Sequence, residues 1–170
     1  MTNDDVLSGA LVVIQAYSEA HADSIARNLF QEVNTDTVIQ QRRDLLAPGP
    51  EEVYSVCGVC EGEVVGICTG VRKQWAGERH RIEMVQVVVR KDFRGRGIAK
   101  NMMRDIAAHF RPHGIEFIQI SVEASNEDGF RAYQRIGFQR FGVFRNGLKF
   151  GDDYSDEILL SMHISDLLEP

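Results

Sequence analysis

The loop Arg94-Gly95-Arg96-Gly97-Ile98-Ala99 joins two segments whose side-chain patterns differ. Before it, Arg81–Val89 is rich in β-branched residues, which favours a strand. After it, apolar side chains recur every four positions from Ile98 to Phe110, and this spacing predicts a helix with one apolar face. The sequence therefore predicts a strand, a glycine turn and a helix in direct succession.

A helix that begins at a glycine turn is suited to bind a phosphate group. Its first N–H groups lack partners and carry partial positive charge, and glycine lets the backbone approach an anion closely. Arg94, Arg96 and Lys100 add positive charge. The loop lacks the Lys-Ser/Thr pair of nucleotide triphosphatases and the G-x-G-x-x-G of dinucleotide-binding folds. The expected ligand is therefore another pyrophosphate, with a solvated basic turn as the alternative.

Two motifs resemble the GNAT superfamily of acyl-CoA-dependent N-acyltransferases. Arg94-x-x-Gly97-x-Ala99 matches its Arg/Gln-x-x-Gly-x-Gly/Ala signature. Residues 126–138 resemble its Asn-x-x-Ala/Gly-x-x-x-Tyr-x-x-x-Gly-Phe pattern. The likeness covers residues 81–162, and it departs from the family at Lys91, where many members have proline.

The resemblance implies acetyl-CoA as the co-substrate. It implies that backbone groups of Val87, Val88 and Val89 pair with the pantetheine arm. The loop residues implied to hold the pyrophosphate are Arg94, Gly95, Arg96, Gly97, Ile98 and Ala99. Asn126 resembles the family asparagine that helps to hold the cofactor and the local turn, a role compatible with that of a helix cap.

Acetyl transfer to an amine needs a proton acceptor, an oxyanion donor and a proton donor for the leaving thiolate. Tyr133 is the candidate acid, because a phenol is protonated at neutral pH and the resemblance agrees; the alternative is a packing tyrosine. Glu83 is the candidate base, directly or through water, because a carboxylate in an apolar strand either faces a wet cleft or costs free energy. A solvent-facing Glu83 is equally open, with Glu123 or water as the base. The oxyanion donor is expected to be a backbone N–H near Val89.

Hydrophobic patterns predict a mixed α/β fold. The predicted strands are Ala10–Tyr17, Val53–Cys60, Val64–Arg72, Arg81–Val89, Ile115–Val122, Phe138–Phe144 and Glu157–Ile164. The predicted helices are Ala20–Val33, Asp36–Leu46, Ile98–Phe110 and Glu127–Arg135. With the resemblance, this order implies a twisted mixed sheet of six or seven strands flanked by about four helices. The 170 residues are expected to form one domain, in which 9–80 shape the acceptor site, 81–136 bind acetyl-CoA and 137–164 form closing strands.

Composition and charge exclude several classes of function. A net charge of −6 argues against duplex nucleic acid as the partner. No apolar run is long enough to span a bilayer, and the polar start Met1–Gly9 is unlike a signal peptide, so a cytoplasmic location without membrane association is expected. Cys57 and Cys60 are three residues apart in a predicted strand and should face opposite sides. Buried thiols without metal are therefore expected, with zinc or redox chemistry as the alternative.

The expected reaction is acetyl transfer to the primary amine of a small molecule such as an amino acid or a polyamine. Two alternatives remain: a peptide or protein N-acetyltransferase, and a non-catalytic acyl-CoA-binding module. His80 is a candidate for lining the acceptor site, and Arg72, Arg79 or Arg81 for binding an acceptor carboxylate, with solvated side chains as the alternative. Dimers are common in the family, so the resemblance also raises a homodimer as an open arrangement.

Overall fold

The computed structural model describes residues 10–169, which form a single mixed sheet with helices on both faces. The strands are β1 (Val13–Ala16), β2 (Val53–Cys60), β3 (Glu63–Arg72), β4 (Arg81–Val89), β5 (Phe117–Glu123), β6 (Gln139–Phe150) and β7 (Asp153–His163). The α-helices are α1 (Ala22–Asn28), α2 (Thr35–Leu46), α3 (Ile98–Phe110), α4 (Glu127–Ile136) and α5 (Ile164–Leu168). The predicted mixed α/β fold is confirmed, and α5 is one short helix more than expected.

The strands follow the order β1-β2-β3-β4-β5-β7-β6. Neighbouring strands are antiparallel except β4 and β5, which run parallel. A parallel pair needs a crossover connection, and α3 with its glycine loop supplies it. The loop therefore begins where β4 ends, beside the one parallel pair of the sheet.

Two hydrophobic cores lie on opposite faces of the sheet. On one face, Ile82 and Met84 of β4 pack with residues of α3 such as Met102; this side is called the α3 face. On the other, α1 and α2 cover β2 and β3; this side is called the α2 face. Cys57 belongs to the α2-face core and Cys60 to the α3-face core, so the predicted orientation of this pair is confirmed.

The ends of several elements differ from the sequence prediction. The helix expected over Ala20–Val33 ends at Asn28, whose amide binds Glu63 at 2.8 Å and thereby ties the helix to β3. The strands expected over Phe138–Phe144 and Glu157–Ile164 extend as β6 and β7 to a hairpin turn at Gly151, which has φ 63°. The extension is largely exposed and polar, so it lacks the apolar pattern that marks a buried strand. Among the helices described, none is both long and apolar enough to cross a membrane.

Candidate functional site

The parallel strands β4 and β5 separate after a short stretch of pairing. Their register runs from Arg81 opposite Phe117 to Glu83 opposite Gln119, whereas β4 continues to Val89 and β5 to Glu123. Beyond the last pair, the facing backbone edges form an open wedge. Unpaired strand edges present N–H and C=O groups, so an extended ligand can pair there in the manner of an added strand.

The direction of the β4 backbone at its C-terminal end determines which residues face the wedge. Arg90 donates its N–H to the carbonyl of Val65 in β3 at 2.8 Å. Because successive residues of a strand direct their polar groups to opposite sides, Val88 also faces β3, while Val87 and Val89 face the wedge. Of the three valines predicted to contact the pantetheine arm, Val87 and Val89 therefore turn backbone groups to the wedge. The carbonyl of Val89 accepts from Arg94 Nε at 3.1 Å, which leaves its N–H for a ligand.

The glycine loop adopts backbone conformations that disfavour other residues. Gly95 and Gly97 have φ values of 79° and 76°, and a Cβ at either position would meet no atom within 4 Å. The backbone conformation, rather than crowding, therefore favours glycine here. Gly97 is the N-cap of α3, and no side chain caps this helix. The first N–H groups of α3 thus lack a side-chain cap from Gly97, which is a feature of helix N-termini that bind anions.

Arginines hold positive charge beside this helix N-terminus. Arg94 donates to a carbonyl of β4 at 3.1 Å, and Arg96 donates to the carbonyl of Asp92 at 3.1 Å. The guanidinium groups of Arg90 and Arg96 lie 4.6 and 4.5 Å from the centre of the buried Phe93 ring, which are cation–π distances. A hydrogen-bonded ion pair with Arg90 lowers the pKa of Asp92. The loop therefore presents its cations on a rigid frame.

Tyr133 lies on α4 and packs against the core of the α3 face. Its ring meets that of Phe138 edge-on, with centroids 6.1 Å apart. Gly137, with φ 123°, ends α4 and directs the chain so that Phe138 reaches this position. Burial raises the pKa of Tyr133 to about 12, with a smaller contribution from Cys68 of β3. The phenol is therefore protonated across the physiological range and is a hydrogen-bond donor.

Asn126 caps the helix that carries Tyr133. Its Oδ1 accepts the backbone N–H of Gly129 at 2.9 Å. A Cβ at Gly129 would lie 2.7 Å from the Asn126 amide nitrogen, so glycine leaves room for the cap. The role of Asn126 as a helix cap is confirmed, and its contact with a cofactor stays a prediction.

Glu83 lies on the opposite face of the sheet from Tyr133. Ile82 and Met84 point into the α3-face core, so alternation turns Glu83 to the α2 face. There its half-buried carboxylate forms an ion pair with Lys73. The candidate acid and base are thus on the two sides of the sheet, and Glu83 is the last residue of β4 that pairs with β5.

The basic residues expected at the acceptor site already have partners. Arg72 donates to the carbonyls of Arg79 and His113 at 2.8 and 3.0 Å. Arg79 pairs with Glu52, and Arg81 pairs with Glu78. His80 packs edge-on against the ring of Phe117. None of these partners excludes contact with an acceptor, but each arginine cation is neutralised or bound to carbonyls.

A different arginine, Arg42 of α2, is buried on the same face with only 3% of its surface exposed. No motif in the sequence marks Arg42 as a functional residue. The signal was available: Arg42 follows the buried Val38 by four residues and therefore lies on the buried face of the helix.

The thiols show no metal-site arrangement in the described part of the chain. Cys57, Cys60 and Cys68 are free and buried. Within residues 10–169, no group of three or more His, Cys, Asp or Glu side chains is arranged to hold a metal ion. Cys57 lies in the α2-face core, and Cys60 and Cys68 lie in the α3-face core.

Comparison with known proteins identifies relatives of this fold. A family model described as the acetyltransferase (GNAT) family matches residues 18–138. An N-acetyltransferase from Staphylococcus aureus is similar in structure, with a TM-score of 0.76 at 17% identity over 91% of this chain and 99% of that one.

Two further solved structures differ in the acceptors that their names state. A ribosomal-protein-alanine N-acetyltransferase from Brucella melitensis has a TM-score of 0.70 at 19% identity, covering 89% of this chain and 99% of its own. A phosphinothricin acetyltransferase from Sinorhizobium meliloti, solved with acetyl-CoA, has a TM-score of 0.74 at 13% identity, covering 89% and 88%. At these identities the likeness establishes the fold.

Proposed function

The chain belongs to the acetyltransferase (GNAT) family, and from that premise we propose that it moves an acetyl group from acetyl-CoA to the primary amine of a small molecule. The observation that carries the proposal is the continuity between the wedge of β4 and β5 and the uncapped N-terminus of α3. Acetyl-CoA has an extended amide-containing arm joined to a pyrophosphate. The wedge and the helix N-terminus offer those two parts complementary groups in the same order.

Binding of the donor uses backbone more than side chains. The wedge-facing groups of Val87 and Val89 pair with the amides of the pantetheine arm, as in an added strand. The first N–H groups of α3, with Arg94 and Arg96 near them, hold the pyrophosphate. The thioester then lies in the wedge, between the two faces of the sheet.

The chemistry proceeds by direct attack of the amine. Glu83 accepts a proton from the amine, directly or through water, and the amine nitrogen forms a bond to the thioester carbon. A β4 N–H near Val89 stabilises the oxyanion. The carbon–sulfur bond then breaks, and Tyr133 directs its proton to the departing sulfur. Because a thiol has a pKa of about 8.5 and that of Tyr133 is raised to about 12, this proton stabilises the thiolate mainly as a hydrogen bond.

The opposite placement of the two groups suits this mechanism. Tyr133 is on the α3 face and Glu83 is on the α2 face. An acceptor that arrives from the α2 face meets Glu83, while the leaving sulfur remains near Tyr133. The acceptor and the donor therefore need not compete for one entrance.

The test is acetyl-CoA-dependent release of free CoA thiol in the presence of amino acids, polyamines, aminoglycosides and short peptides. Calorimetry with acetyl-CoA alone measures donor binding separately. We expect donor binding and turnover on small amines. Turnover on peptides alone would replace the small-molecule acceptor by a protein one. Donor binding without turnover on any amine would leave an acyl-CoA-binding module.

A further inference from the structure

Arg42 is a buried cation that the protein leaves only partly bound. Its Nη1 donates to the hydroxyls of Ser55 and Thr69 at 3.2 and 3.0 Å, and its guanidinium lies 5.6 Å from the centre of the Tyr17 ring. Within residues 10–169 these two hydrogen bonds are the ones it makes, and it forms no ion pair there. Nε and Nη2 of Arg42 therefore have no acceptor within that range, and neither is among its fully enclosed unpartnered atoms, which are the Tyr17 hydroxyl and Arg81 Nε.

Within residues 10–169, no neighbouring titratable group supplies a negative charge to Arg42. The titratable groups that interact with it are Cys57, Tyr17 and Cys68. Burial raises the pKa of both thiols to about 12 and raises the pKa of the Tyr17 phenol, so all three are neutral near pH 7. A buried charge without a counter-ion destabilises the folded state. As far as residues 10–169 are concerned, the arrangement is therefore unfavourable for folding alone, and an anionic partner would offset it.

A second donor without a partner lies next to this cation. The hydroxyl of Tyr17 is buried and has no hydrogen-bond partner in the part of the chain that the structure describes. A buried hydroxyl without a partner is itself uncommon. Together, the spare guanidinium N–H groups of Arg42 and the Tyr17 hydroxyl match the two oxygens of a carboxylate.

The position of Arg42 relates this site to the wedge. Thr69, which binds the guanidinium, pairs with Val85 of β4. Val85 follows Glu83 by two residues, so both side chains face the α2 face. Since adjacent strands are about 4.8 Å apart, the guanidinium lies one to two strand spacings from the open edge of β4. An amine at Glu83 and an anionic group at Arg42 can therefore belong to one small molecule.

We propose that Arg42 and the Tyr17 hydroxyl bind the carboxylate of the acceptor, so that the substrate is an amino acid rather than a polyamine or an aminoglycoside. This inference rests on the proposed acetyl transfer. It differs from the expectation that Arg72, Arg79 or Arg81 holds the carboxylate. Arg72 binds two carbonyls, and Arg79 and Arg81 form ion pairs, although Arg81 Nε is buried without a partner in residues 10–169.

Matched acceptors and matched variants test the inference. Thiol release is measured for each amino acid and for its C-terminal amide, which keeps the amine and removes the negative charge. The wild-type chain should prefer the free carboxylate by about 10- to 100-fold in kcat/KM, as expected for hydrogen bonds to a charged group. Arg42→Met should abolish this preference chiefly through KM. Arg43→Gln changes the next residue, which is exposed and pairs with Glu19, and should retain the preference.

Melting temperatures of Tyr17→Phe and Arg42→Met separate an effect on substrate binding from an effect on folding. Tyr17→Phe removes a hydroxyl that has no internal partner, so it should raise KM for amino acids several-fold without lowering Tm. Arg42→Met should leave Tm unchanged or raise it, because an uncompensated buried charge is removed, while Ser55 and Thr69 still bind each other at 2.8 Å. A large fall in Tm for Arg42→Met together with an unchanged KM for Tyr17→Phe would assign both residues to structure and overturn the inference.

The remaining outcomes distinguish this inference from the proposed function. Equal rates with amino acids and their amides, or a carboxylate preference that survives Arg42→Met, would overturn the inference and leave acetyl transfer intact. Absence of thiol release from every amine, with acetyl-CoA bound, would overturn the proposed function and the inference with it.

Discussion

Substitution of Gly97 by aspartate tests the assignment of the α3 N-terminus as the phosphate site. A side chain here projects into open space, since a Cβ would meet nothing within 4 Å. The new carboxylate would lie about 5 Å from a bound phosphate, and with an effective dielectric constant of about 20–40 two unit charges at that distance repel by about 2–3 kcal/mol. We therefore expect acetyl-CoA to bind roughly 30- to 150-fold more weakly, as measured by calorimetry.

Gly97→Asn is the control for this measurement. Asparagine has nearly the same shape and tolerates the positive φ of 76° about as well as aspartate does, so the two variants share any backbone strain. The ratio of their dissociation constants isolates the charge. That ratio should shrink at high salt, because exposed charges are screened. If the aspartate and asparagine variants bound acetyl-CoA within about threefold of each other at low salt, the phosphate would not lie at this helix end.

Three further perturbations address Tyr133 and Glu83. Tyr133→Phe should lower kcat by about 10²–10³-fold, as expected for the loss of one hydrogen-bond donor to developing charge, and leave the calorimetric Kd for acetyl-CoA nearly unchanged; equal turnover would remove its role as hydrogen-bond donor to the sulfur. The same variant should also weaken the fall in the free energy of unfolding at alkaline pH. Below pH 10 the phenol of Tyr133 is neutral in the folded and the unfolded chain, whereas between pH 10 and its folded pKa of about 12 it ionises only in the unfolded chain. The wild-type chain should therefore lose about 2 kcal/mol more than Tyr133→Phe in denaturant titrations over that window, and parallel profiles would contradict the burial of this hydroxyl. Glu83→Gln should lower kcat about 10²-fold. Lys73→Met removes the ion pair but keeps the carboxylate of Glu83, so it should retain activity. Equal losses of kcat in the two variants would mean that Glu83 serves only the ion pair.

The part of the fold that local signals specify could be predicted from the sequence. Strand β4, the glycine loop and helix α3 have the predicted bounds, Arg81–Val89 and Ile98–Phe110, because each has its own residue pattern and the turn glycines separate them. The same holds for the cap at Asn126, which depends on residues three apart.

The wedge and the buried cation depend on contacts between distant residues. The separation of β4 from β5 is set by where pairing stops, at Glu83 opposite Gln119, and no local pattern in either strand marks that point. The isolation of Arg42 follows from the pairing of the nearby carboxylates with other arginines, Glu63 of β3 with Arg27 and Glu19 with Arg43, which only the packed structure reveals. The exposed tip of the β6–β7 hairpin lacks apolar alternation, so its strands were predicted too short.

If the wedge binds acetyl-CoA as proposed, the short pairing of β4 with β5 also makes the donor a structural component. Three paired positions join β1–β4 to β5–β7, and Val87 and Val89 lie beyond them. Their backbone N–H groups therefore bind water until the pantetheine arm supplies acceptors. On the proposed function, their hydrogen-exchange rates should fall sharply when acetyl-CoA binds, and the two halves of the sheet should resist unfolding together. Departure of CoA must then rehydrate both edges, so product release carries a solvation barrier that a preformed, fully paired sheet would not have.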